Sequence, residues 1–594
     1  MVNNKKNKQP KVTTKVSIVT VTQIKRKETI KILVDHIKNQ TYRDIVQWVI
    51  VEGSSTSELG ELNATYISEI AIPGIVIDYI PWSGNKLGQL RNSGNAKCTG
   101  DITVCMDDDD YYPPTRVEHC VKMLSESSCL IAGCSAKYLY DYCLQRFYLF
   151  KPFGPNHSTN DCMAWKKEFI TSTRGIHDPN AGNAEEMSFT SRFTEPMVQL
   201  SAEHTIVGSS HRENTFNKKE ICVFGCIGIY PNVEVLETLP KMESSIFERY
   251  CDIYRNDTVS EYDIVYFTGG TSIDWCPKDK TLGGSEQAVV HLASEWVKLG
   301  LRVAVYGKIA DTVHLGVDYF DWKKFDYSGN YNTLILWRLA GVNGALQFPI
   351  KTKKLFVDLH DNIYQFRFNY QKYADKIDKI FFKSEYHLNC YQDYFKQKLE
   401  PGKFEIIMNG IRIDDFKNSY GIARNPYRFV YCSCYTRGLE NILLNIWPTV
   451  YANEPRAELH VYYGMNYVTD QAFKNKMTLL MGQPGVMDHG RQPMETIIRE
   501  KWQSSFHLYI TDTTGEIDCI SIRESLVCGC IPLLSRFGVF EQRDGVHFGN
   551  QNICQGILNL LQKTDFVESS RSYYQQSKTI VSWETVAKEW KTLF

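Results

Sequence analysis

The residues best suited to chemistry in this 594-residue chain form an unbroken acidic run, Asp107 to Asp110. An apolar segment, residues 102–105, precedes the run, and Tyr-Tyr-Pro-Pro follows it at 111–114. A strand that ends in clustered carboxylates presents oxygen ligands at the edge of a sheet. Mg²⁺ and Mn²⁺ prefer such ligands and usually take further oxygens from a substrate phosphate. The run therefore suggests metal-assisted chemistry on a nucleotide diphosphate, and a solvated acidic turn is the alternative.

Composition and charge limit the class of protein. A hydrophobic content of 43% and a charged content of 23% are typical of a soluble globular protein, and the length predicts several domains. The net charge of -1 gives no support to nucleic-acid binding. The 18 cysteines include no C-x-x-C pair and have no nearby histidines that would complete a zinc site, so we expect reduced, mostly buried thiols.

The sequence shows no segment that would direct the chain into a membrane. Residues 1–15 are rich in Lys and Asn without the apolar core of a signal peptide, and no apolar run is long enough to span a bilayer. We therefore expect a soluble cytoplasmic protein, in the cytoplasm of a host if the chain is encoded by a virus. The basic start could make a weak peripheral contact with an anionic membrane.

Strands alternate with helices in the first half of the chain. Residues 16–22, 46–51, 76–80 and 102–106 have the composition of buried strands, and residues 28–39 and 88–96 have helical spacing. This alternation predicts a parallel α/β sheet, which binds ligands at the carboxyl ends of its strands. Thr22, Glu52 and the acidic run all follow such strands, which favours a binding site over a solvated turn.

The same pattern starts again twice in the second half. Residues 264–268 are predicted to form a strand, the Gly-rich turn LGGSE at 282–286 precedes a helical segment, and strand-like segments return from residue 404 onwards. We predict an α/β protein with these parts: a disordered basic tail at 1–15, one Rossmann-like domain at 16–240, a linker at 241–261, and two Rossmann-like lobes at 262–400 and 401–594.

Three segments of the first half, VSIVTVT, VIVEGSS and KLGQLRNSGNAKCTGDITVCMDDDDYYPPTRVEHCVKML, resemble in order and spacing the GT-A domain of glycosyltransferase family 2. The resemblance implies that this half binds a nucleotide sugar, with UDP as the default nucleotide and GDP as an alternative. The residues that it places around the donor are Thr22, Glu52, Lys86, Asp107 and Asp108. Glu52 departs from the family, which usually has Asp at this position.

The resemblance also implies a divalent metal ion, Mn²⁺ or Mg²⁺, in the first half. Asp107 and Asp109 would form the D-x-D motif, with Asp109 as the main metal ligand and Asp110 as an alternative. His211, in SSHREN, stands where family members often add a histidine ligand, although it could equally be a histidine of a surface loop. The ion would neutralise the diphosphate and stabilise the leaving group.

An inverting member of family 2 needs a carboxylate base that deprotonates the acceptor hydroxyl. The segment NAEEMSF at 183–189 resembles the acidic pair that precedes a helix in the family, with Glu186 in the position of the base and Glu185 as the alternative. The chain departs from the family here too, with Glu in place of Asp. A structural role is also open, because the helix dipole stabilises acidic residues in a first turn.

In the second half, Glu516 and Glu524 with the following RESLVCGCIP resemble the E-x7-E motif of glycosyltransferase family 4. This resemblance implies a GT-B fold with metal-independent, retaining transfer. Glu524 would bind the donor ribose, Glu516 would face the sugar, Gly283 and Gly284 would approach the diphosphate, and Arg437 would meet a phosphate. The Lys that usually follows this Arg is missing. A surface ion pair for Arg437 and a helix-capping role for Glu524 remain alternatives.

Together these patterns predict a bifunctional glycosyltransferase that acts on a glycan, glycoprotein or glycolipid. The N-terminal half would be metal-dependent and inverting, and the C-terminal half metal-independent and retaining. In a second hypothesis only the N-terminal half is catalytic, and the C-terminal half binds a sugar or nucleotide, which the missing Lys supports. A sugar nucleotidyltransferase ranks lower, because the segment TQIKR after the first strand lacks the glycines of a triphosphate loop.

Overall fold

The computed structural model describes residues 13–594 except 24, 55–60, 173, 215, 217, 227–229, 239, 255–258, 271–273, 281, 339–344, 362–369, 397, 418–420, 467, 513–514 and 550–551. The chain divides into two compact units, residues 1–257 and 258–594. Most of the predicted basic tail, residues 1–12, lies outside the described residues. Among the described helices, none is long and apolar enough to cross a bilayer.

The first unit alternates strands and helices from its start. Its strands are β1 (Val16–Gln23), β2 (Ile45–Ser54), β3 (Val76–Ser83), β4 (Ile102–Cys105), β5 (Ile131–Gly133), β6 (Lys137–Asp141), β7 (Arg146–Phe150), β8 (Ala164–Lys166), β9 (Met197–Gln199), β10 (Val207–Ser210) and β11 (Val233–Leu236). Its helices are α1 (Lys27–Lys38), α2 (Glu61–Glu69), α3 (Leu87–Lys97), α4 (Arg116–Ser125), α5 (Lys167–Thr171), α6 (Glu186–Phe189), α7 (Ala202–Thr205), α8 (Lys219–Cys226) and α9 (Ser244–Tyr254).

The main sheet of the first unit has the order β3-β2-β1-β4-β8-β5-β9. β1 is rich in β-branched residues and is buried at every position before Gln23, as expected for a strand covered on both faces. It pairs in parallel with β2 and with β4, so that Thr22 lies opposite Glu52 and Val19 opposite Cys105. The acidic run therefore begins at the same edge of the sheet as Thr22 and Glu52.

The segment predicted as a linker, residues 241–261, contains helix α9, which packs on the first unit. Tyr250 is fully buried and donates a hydrogen bond from its hydroxyl to the backbone oxygen of Asp110, at 3.0 Å. Arg249 forms an ion pair with Asp35 at 2.5 Å. The charged residues of the segment led to the prediction of a linker. One face of the helix carries tyrosines, and their burial depends on contacts with the rest of the first unit.

The second unit contains two further sheets. Its strands are β12 (Ile264–Gly269), β13 (Val303–Gly307), β14 (Thr312–His314), β15 (Val317–Asp321), β16 (Asn330–Trp337), β17 (Lys351–Asp358), β18 (Lys379–Phe382), β19 (Phe404–Ile406), β20 (Asn425–Cys432), β21 (Glu458–Tyr462), β22 (Val486–Gly490), β23 (Ser504–Tyr509), β24 (Ile531–Ser535) and β25 (Val546–Phe548). Its helices are α10 (Gly284–Lys298), α11 (Glu385–Phe395), α12 (Ile413–Lys417), α13 (Leu439–Asn441), α14 (Trp447–Asn453), α15 (Gln471–Met481), α16 (Met494–Gln503), α17 (Ile520–Val527), α18 (Ile553–Leu561), α19 (Thr564–Tyr574) and α20 (Trp583–Lys591).

Each sheet of the second unit forms the centre of one lobe. The first sheet has the order β14-β15-β13-β12-β16-β17-β18-β19, and the second has the order β22-β21-β20-β23-β24-β25. Apart from the β14–β15 pair, the described strand pairs of both sheets are parallel. The predicted fold class, one Rossmann-like domain followed by two Rossmann-like lobes, is confirmed.

The boundary between the lobes differs from the predicted division at residues 400 and 401. β19 pairs with β18 and belongs to the first lobe. Helix α20, the last helix, packs on that lobe. Its Trp590 stacks on Phe381 with ring centroids 3.7 Å apart. The rings of Trp590 and Trp296 pack edge to face with centroids 5.7 Å apart. The apolar face of α20 is buried by residues far away in sequence, so local patterns could not assign it to a lobe.

Candidate functional site

A cavity of about 870 Å³ in the first unit lies at the carboxyl ends of β1, β2 and β4. Its wall includes many of the predicted site residues: Thr22, Asp107, Asp109, Asp110, Glu185 and Glu186. Four other predicted site residues are not in the wall, although chain neighbours of each are close to it or in it: Glu52, Lys86, Asp108 and His211. Glu52 is buried, and Lys86 is exposed at the start of α3. Burial and the charge of Glu52 raise the pKa of Tyr79 to about 12.

The acidic run separates into carboxylates with different partners. Arg91 holds Asp107 through both terminal nitrogens, at 2.5 and 2.7 Å. The Thr22 hydroxyl donates to Asp108 at 2.6 Å, so these two predicted donor-binding residues contact each other. The backbone N–H of Ser209 donates to Asp110 at 2.6 Å. Asp107 and Asp110 are therefore anchored by the protein itself.

One oxygen of Asp109 is approached by three side chains. This atom, Oδ2, lies 3.0 Å from Arg26, 3.2 Å from His211 Nε2 and 3.3 Å from Asn214 Nδ2. Burial acts to raise the pKa of Asp109, but the charge of Arg26 and the hydrogen bond with His211 hold it well below its usual range. Asp109 is therefore an anion at any pH near neutral.

Helix α9 positions the predicted histidine ligand. The ring of Tyr254 stacks on His211 with centroids 3.7 Å apart and an interplanar angle of 8°. His211 is itself buried, with 7% of its surface exposed, so it is not the surface-loop histidine of the alternative hypothesis. Helix α9, which lies in the predicted linker, therefore holds His211 in place beside the acidic run.

The donor set fits a divalent ion only in part. Among the described residues, no group of three or more His, Cys, Asp or Glu side chains could hold a metal ion. Asp109 and His211 are adjacent, whereas Asp107, the third predicted ligand, is held by Arg91. Because a divalent ion at a diphosphate needs only one or two carboxylates besides phosphate oxygens, the ionised Asp109 beside His211 suits such an ion when the phosphate completes its coordination.

The two glutamates that were candidates for the base have distinct environments. Glu185 is buried, and its Oε1 accepts hydrogen bonds from Arg91 Nε at 3.3 Å and Asn160 Nδ2 at 3.1 Å. Glu186 begins α6 and faces the cavity, where burial and then the charge of Glu185 raise its pKa to about 7. A carboxylate with a pKa near neutral is suited to accept a proton.

Sequence reasoning missed the cations of the first cavity. Arg26 and Arg91 contact the acidic run, and Lys137 pairs with Asp161 in the same wall. Arg26 could have been noticed, since it follows β1 at a ligand-binding edge. Arg91 lies in a segment that resembles family 2, but it is within a helix, and its position there did not mark it as a partner of the acidic run.

In the second unit, a cavity of about 360 Å³ lies between the two lobes. It brings together all five residues predicted for this half: Gly283, Gly284, Arg437, Glu516 and Glu524. Gly283 is the residue before α10, and a side chain at Gly284 would meet no atom within 4 Å. The N-terminus of α10 is therefore open towards the cavity, where backbone N–H groups can hold an anion.

The two predicted glutamates of this second cavity each have a cationic partner. Arg437 forms an ion pair with Glu516, which also accepts hydrogen bonds from the hydroxyls of Tyr509 at 2.6 Å and Ser433 at 3.3 Å. Glu524 pairs with the buried Lys501 at 2.7 Å. Glu524 lies within its helix and pairs with Lys501, so a helix cap does not describe it. Arg437, whose side chain is 40% exposed, does form an ion pair, as its alternative hypothesis expected.

Arg491 and His360 are among the wall residues of the second cavity that were not predicted. Arg491 lies over the ring of Tyr463, 5.1 Å from its centroid. It adds a guanidinium to those of Arg338 and Arg437 in the cavity that lacks the expected Lys. His360 shares a hydrogen bond with the buried Asp358, at 2.9 Å. Burial lowers the pKa of His360, so its ring is neutral near pH 7.

Residues 17–173 match the family model Glycosyl transferase family 2. The chain thus contains a glycosyltransferase domain, and the resemblance predicted for the first half is confirmed over these residues. Among curated protein sequences, no match was found.

Several solved structures of glycosyltransferases are similar to this chain at low sequence identity. HepE from Anabaena, in complex with UDP and glucose, is 12% identical with a TM-score of 0.41 over 56% of this chain and 98% of its own. A glycosyltransferase from Rickettsia africae is 12% identical, with a TM-score of 0.44 and coverages of 56% and 98%. Sucrose-phosphate synthase from Thermosynechococcus elongatus is 12% identical, with a TM-score of 0.43 and coverages of 56% and 97%. The assignment of the second half to family 4 stays a prediction.

Proposed function

We propose that the first unit transfers a sugar from a nucleoside diphosphate to a hydroxyl of a glycan, glycoprotein or glycolipid, with inversion at the anomeric carbon. One observation carries this proposal: Glu186, with its pKa near 7, shares a cavity with the acidic run of a family 2 domain. A base and a donor-binding edge in one cavity are what a single displacement at the anomeric carbon requires.

In this proposal Glu186 takes the proton of the acceptor hydroxyl as its oxygen attacks the anomeric carbon. The bond from that carbon to the diphosphate breaks, and its electron pair leaves with the phosphate oxygen. Burial, and then the charge of Glu185, which is fixed by Arg91 and Asn160, keep the pKa of Glu186 raised. A divalent ion held by Asp109 and His211 would supply Lewis-acid stabilisation of the leaving diphosphate.

We propose that the second unit binds a second nucleotide sugar without metal and transfers its sugar with retention. The open N-terminus of α10 and the guanidinium groups of Arg437 and Arg491 supply positive charge for a diphosphate. The ion pairs of Glu516 and Glu524 favour the competing hypothesis of a binding module, because both carboxylates already have cationic partners. Since both units are on one chain, successive transfers to one acceptor would benefit from a high effective concentration.

The test is turnover of a panel of UDP- and GDP-sugars with Mn²⁺ or with EDTA. It compares the wild type with Asp109→Ala, Glu186→Gln and Glu524→Ala, and uses Glu203→Gln, an exposed residue of the first unit, as the control. We expect EDTA, Asp109→Ala and Glu186→Gln to remove turnover of one donor, and Glu524→Ala to remove metal-independent turnover of another.

Each of the other outcomes contradicts a defined part of the proposal. If EDTA and Asp109→Ala remove all turnover, the second unit is a binding module or its donor is not in the panel. If EDTA has no effect on any donor, the metal role of Asp109 is wrong. If Glu186→Gln is as active as Glu203→Gln, the assignment of the base is wrong.

A further inference from the structure

Arg26 occupies the face of the acidic run that a metal ion would need. Its NH1 lies 2.8 Å from Oδ1 of Asp108 and 3.0 Å from Oδ2 of Asp109, and only 10% of its side chain is exposed. Its NH2 donates to the backbone oxygen of Glu213 at 3.2 Å, in the segment that also carries His211. The guanidinium therefore ties the run to the loop that holds the second candidate ligand.

Arg26 contacts Asp109 at the carboxylate oxygen that a metal ion would bind. Arg26 and His211 both approach the same oxygen, Oδ2, which is where the two candidate metal ligands meet. A divalent ion on this oxygen would lie within a few ångströms of a guanidinium, and like charges at that separation repel strongly in a buried site. Arg26 and the ion therefore compete for Asp109.

The other cations of the cavity have partners that a metal ion would not take from them. Lys137 is paired with Asp161, Lys218 donates to the backbone oxygen of Ser209, and Arg91 has both terminal nitrogens on Asp107. Arg26, by contrast, is bound to the carboxylate that the ion would take. A guanidinium that leaves a carboxylate beside a diphosphate has a matching acceptor at once, because its fork fits phosphate oxygens as well as carboxylates.

We propose that Arg26 gates the metal site of the first unit: it neutralises Asp109 in the absence of donor and moves to a diphosphate oxygen when donor and divalent ion bind together. This inference rests on the proposed function of the first unit. It makes the binding of the ion and of the nucleoside diphosphate mutually dependent. If the state with Arg26 displaced is about a tenth of the population, the affinity for the ion without nucleotide falls about tenfold.

Mn²⁺ binding to the full chain, followed by the electron paramagnetic resonance signal of free Mn²⁺, tests this gate without any turnover. The site is defined as the uptake that Asp109→Ala abolishes. Wild type, Arg26→Ala and Arg26→Gln are titrated with and without UDP, and Arg174→Ala is the control, since Arg174 makes an exposed pair with Glu195. Thermal unfolding of each variant checks its fold, and Arg26→Gln serves if Arg26→Ala is unfolded.

Without UDP, we expect both Arg26 variants to bind Mn²⁺ about tenfold more tightly than the wild type and Arg174→Ala. UDP should tighten Mn²⁺ binding in the wild type and have a much smaller effect in the Arg26 variants. If the wild type and the Arg26 variants bind Mn²⁺ equally without UDP, the gate is wrong while metal-dependent transfer stands. If none of them binds Mn²⁺ even with UDP, the gate and the metal role in the proposed function are both overturned.

Discussion

Arg91 holds Asp107 with two parallel hydrogen bonds, from NH1 at 2.5 Å and from NH2 at 2.7 Å. Its Nε is 3.3 Å from Glu185, so one buried guanidinium connects the acidic run to the pair of glutamates. The donor-binding edge and the proposed base therefore share a single positioning residue.

We predict that Arg91→Lys lowers the rate of transfer by the first unit roughly a hundredfold, because a point charge cannot hold both carboxylates in place. Arg91→Ala should also lower the free energy of unfolding by about 3 kcal/mol, since it removes the cationic partner of the part-buried Asp107 and of the buried Glu185. Steady-state kinetics and urea unfolding measure the two effects, with Arg174→Lys as the surface control. Unchanged kcat in Arg91→Lys would show that the connection has no role in the reaction.

The pKa of Glu186, raised to about 7, gives two effects of pH with defined signs. As a base it must be deprotonated, so the rate of the first unit should rise with pH and level off above about 7. Because the folded state binds this proton more tightly than the unfolded chain, the free energy of unfolding should fall as pH rises from 4.5 to about 7. Glu186→Gln should remove both effects, and a stability profile that is identical in the variant would refute the second.

Tyr254 should matter for metal binding although it carries no ligand atom. We expect Tyr254→Ala to weaken Mn²⁺ binding in the presence of UDP about tenfold, because the ring that fixes His211 is lost. Tyr254→Phe keeps the ring and is the matched control, which should bind Mn²⁺ as the wild type does. Equal weakening in both variants would mean that stacking is not what positions His211.

In the second unit, we predict that Arg491 replaces the expected Lys as a partner of the donor diphosphate. Arg437→Ala and Arg491→Ala should each weaken UDP binding about tenfold, measured by calorimetry in EDTA with Asp109→Ala as the common background. Arg456→Ala, which removes an exposed pair with Glu454, is the control. If Arg491→Ala binds UDP as tightly as the control does, Arg491 does not replace the missing Lys.

The buried pair of Lys501 and Glu524 predicts an asymmetry in stability. Lys501→Met alone leaves a buried carboxylate and should lower the free energy of unfolding by about 3–5 kcal/mol. The double variant Lys501→Met/Glu524→Gln should recover much of this loss, because no charge is left unpaired. Denaturant unfolding of the single and double variants measures the coupling, and additive losses would contradict it.

Local sequence patterns predicted the fold class and most of the site residues. β-branched runs that alternate with helical spacing predicted the strands, and the ends of those strands brought Thr22 and the acidic run to one cavity. The five residues predicted in the second half also meet in one cavity. Strand periodicity and strand ends are local properties, so a sequence can show them without knowledge of distant contacts.

The partner of each charged group was decided only by tertiary structure. The sequence alone could not say that Arg91 would take Asp107, or that Arg26 would lie on Asp109. Nor could it show that a charged segment folds into a helix whose Tyr254 supports His211. These outcomes depend on burial and on contacts between residues far apart in the chain. Burial and neighbouring charges also set which carboxylate is a permanent anion and which can accept a proton near neutral pH, because both change the free energy of the charged form.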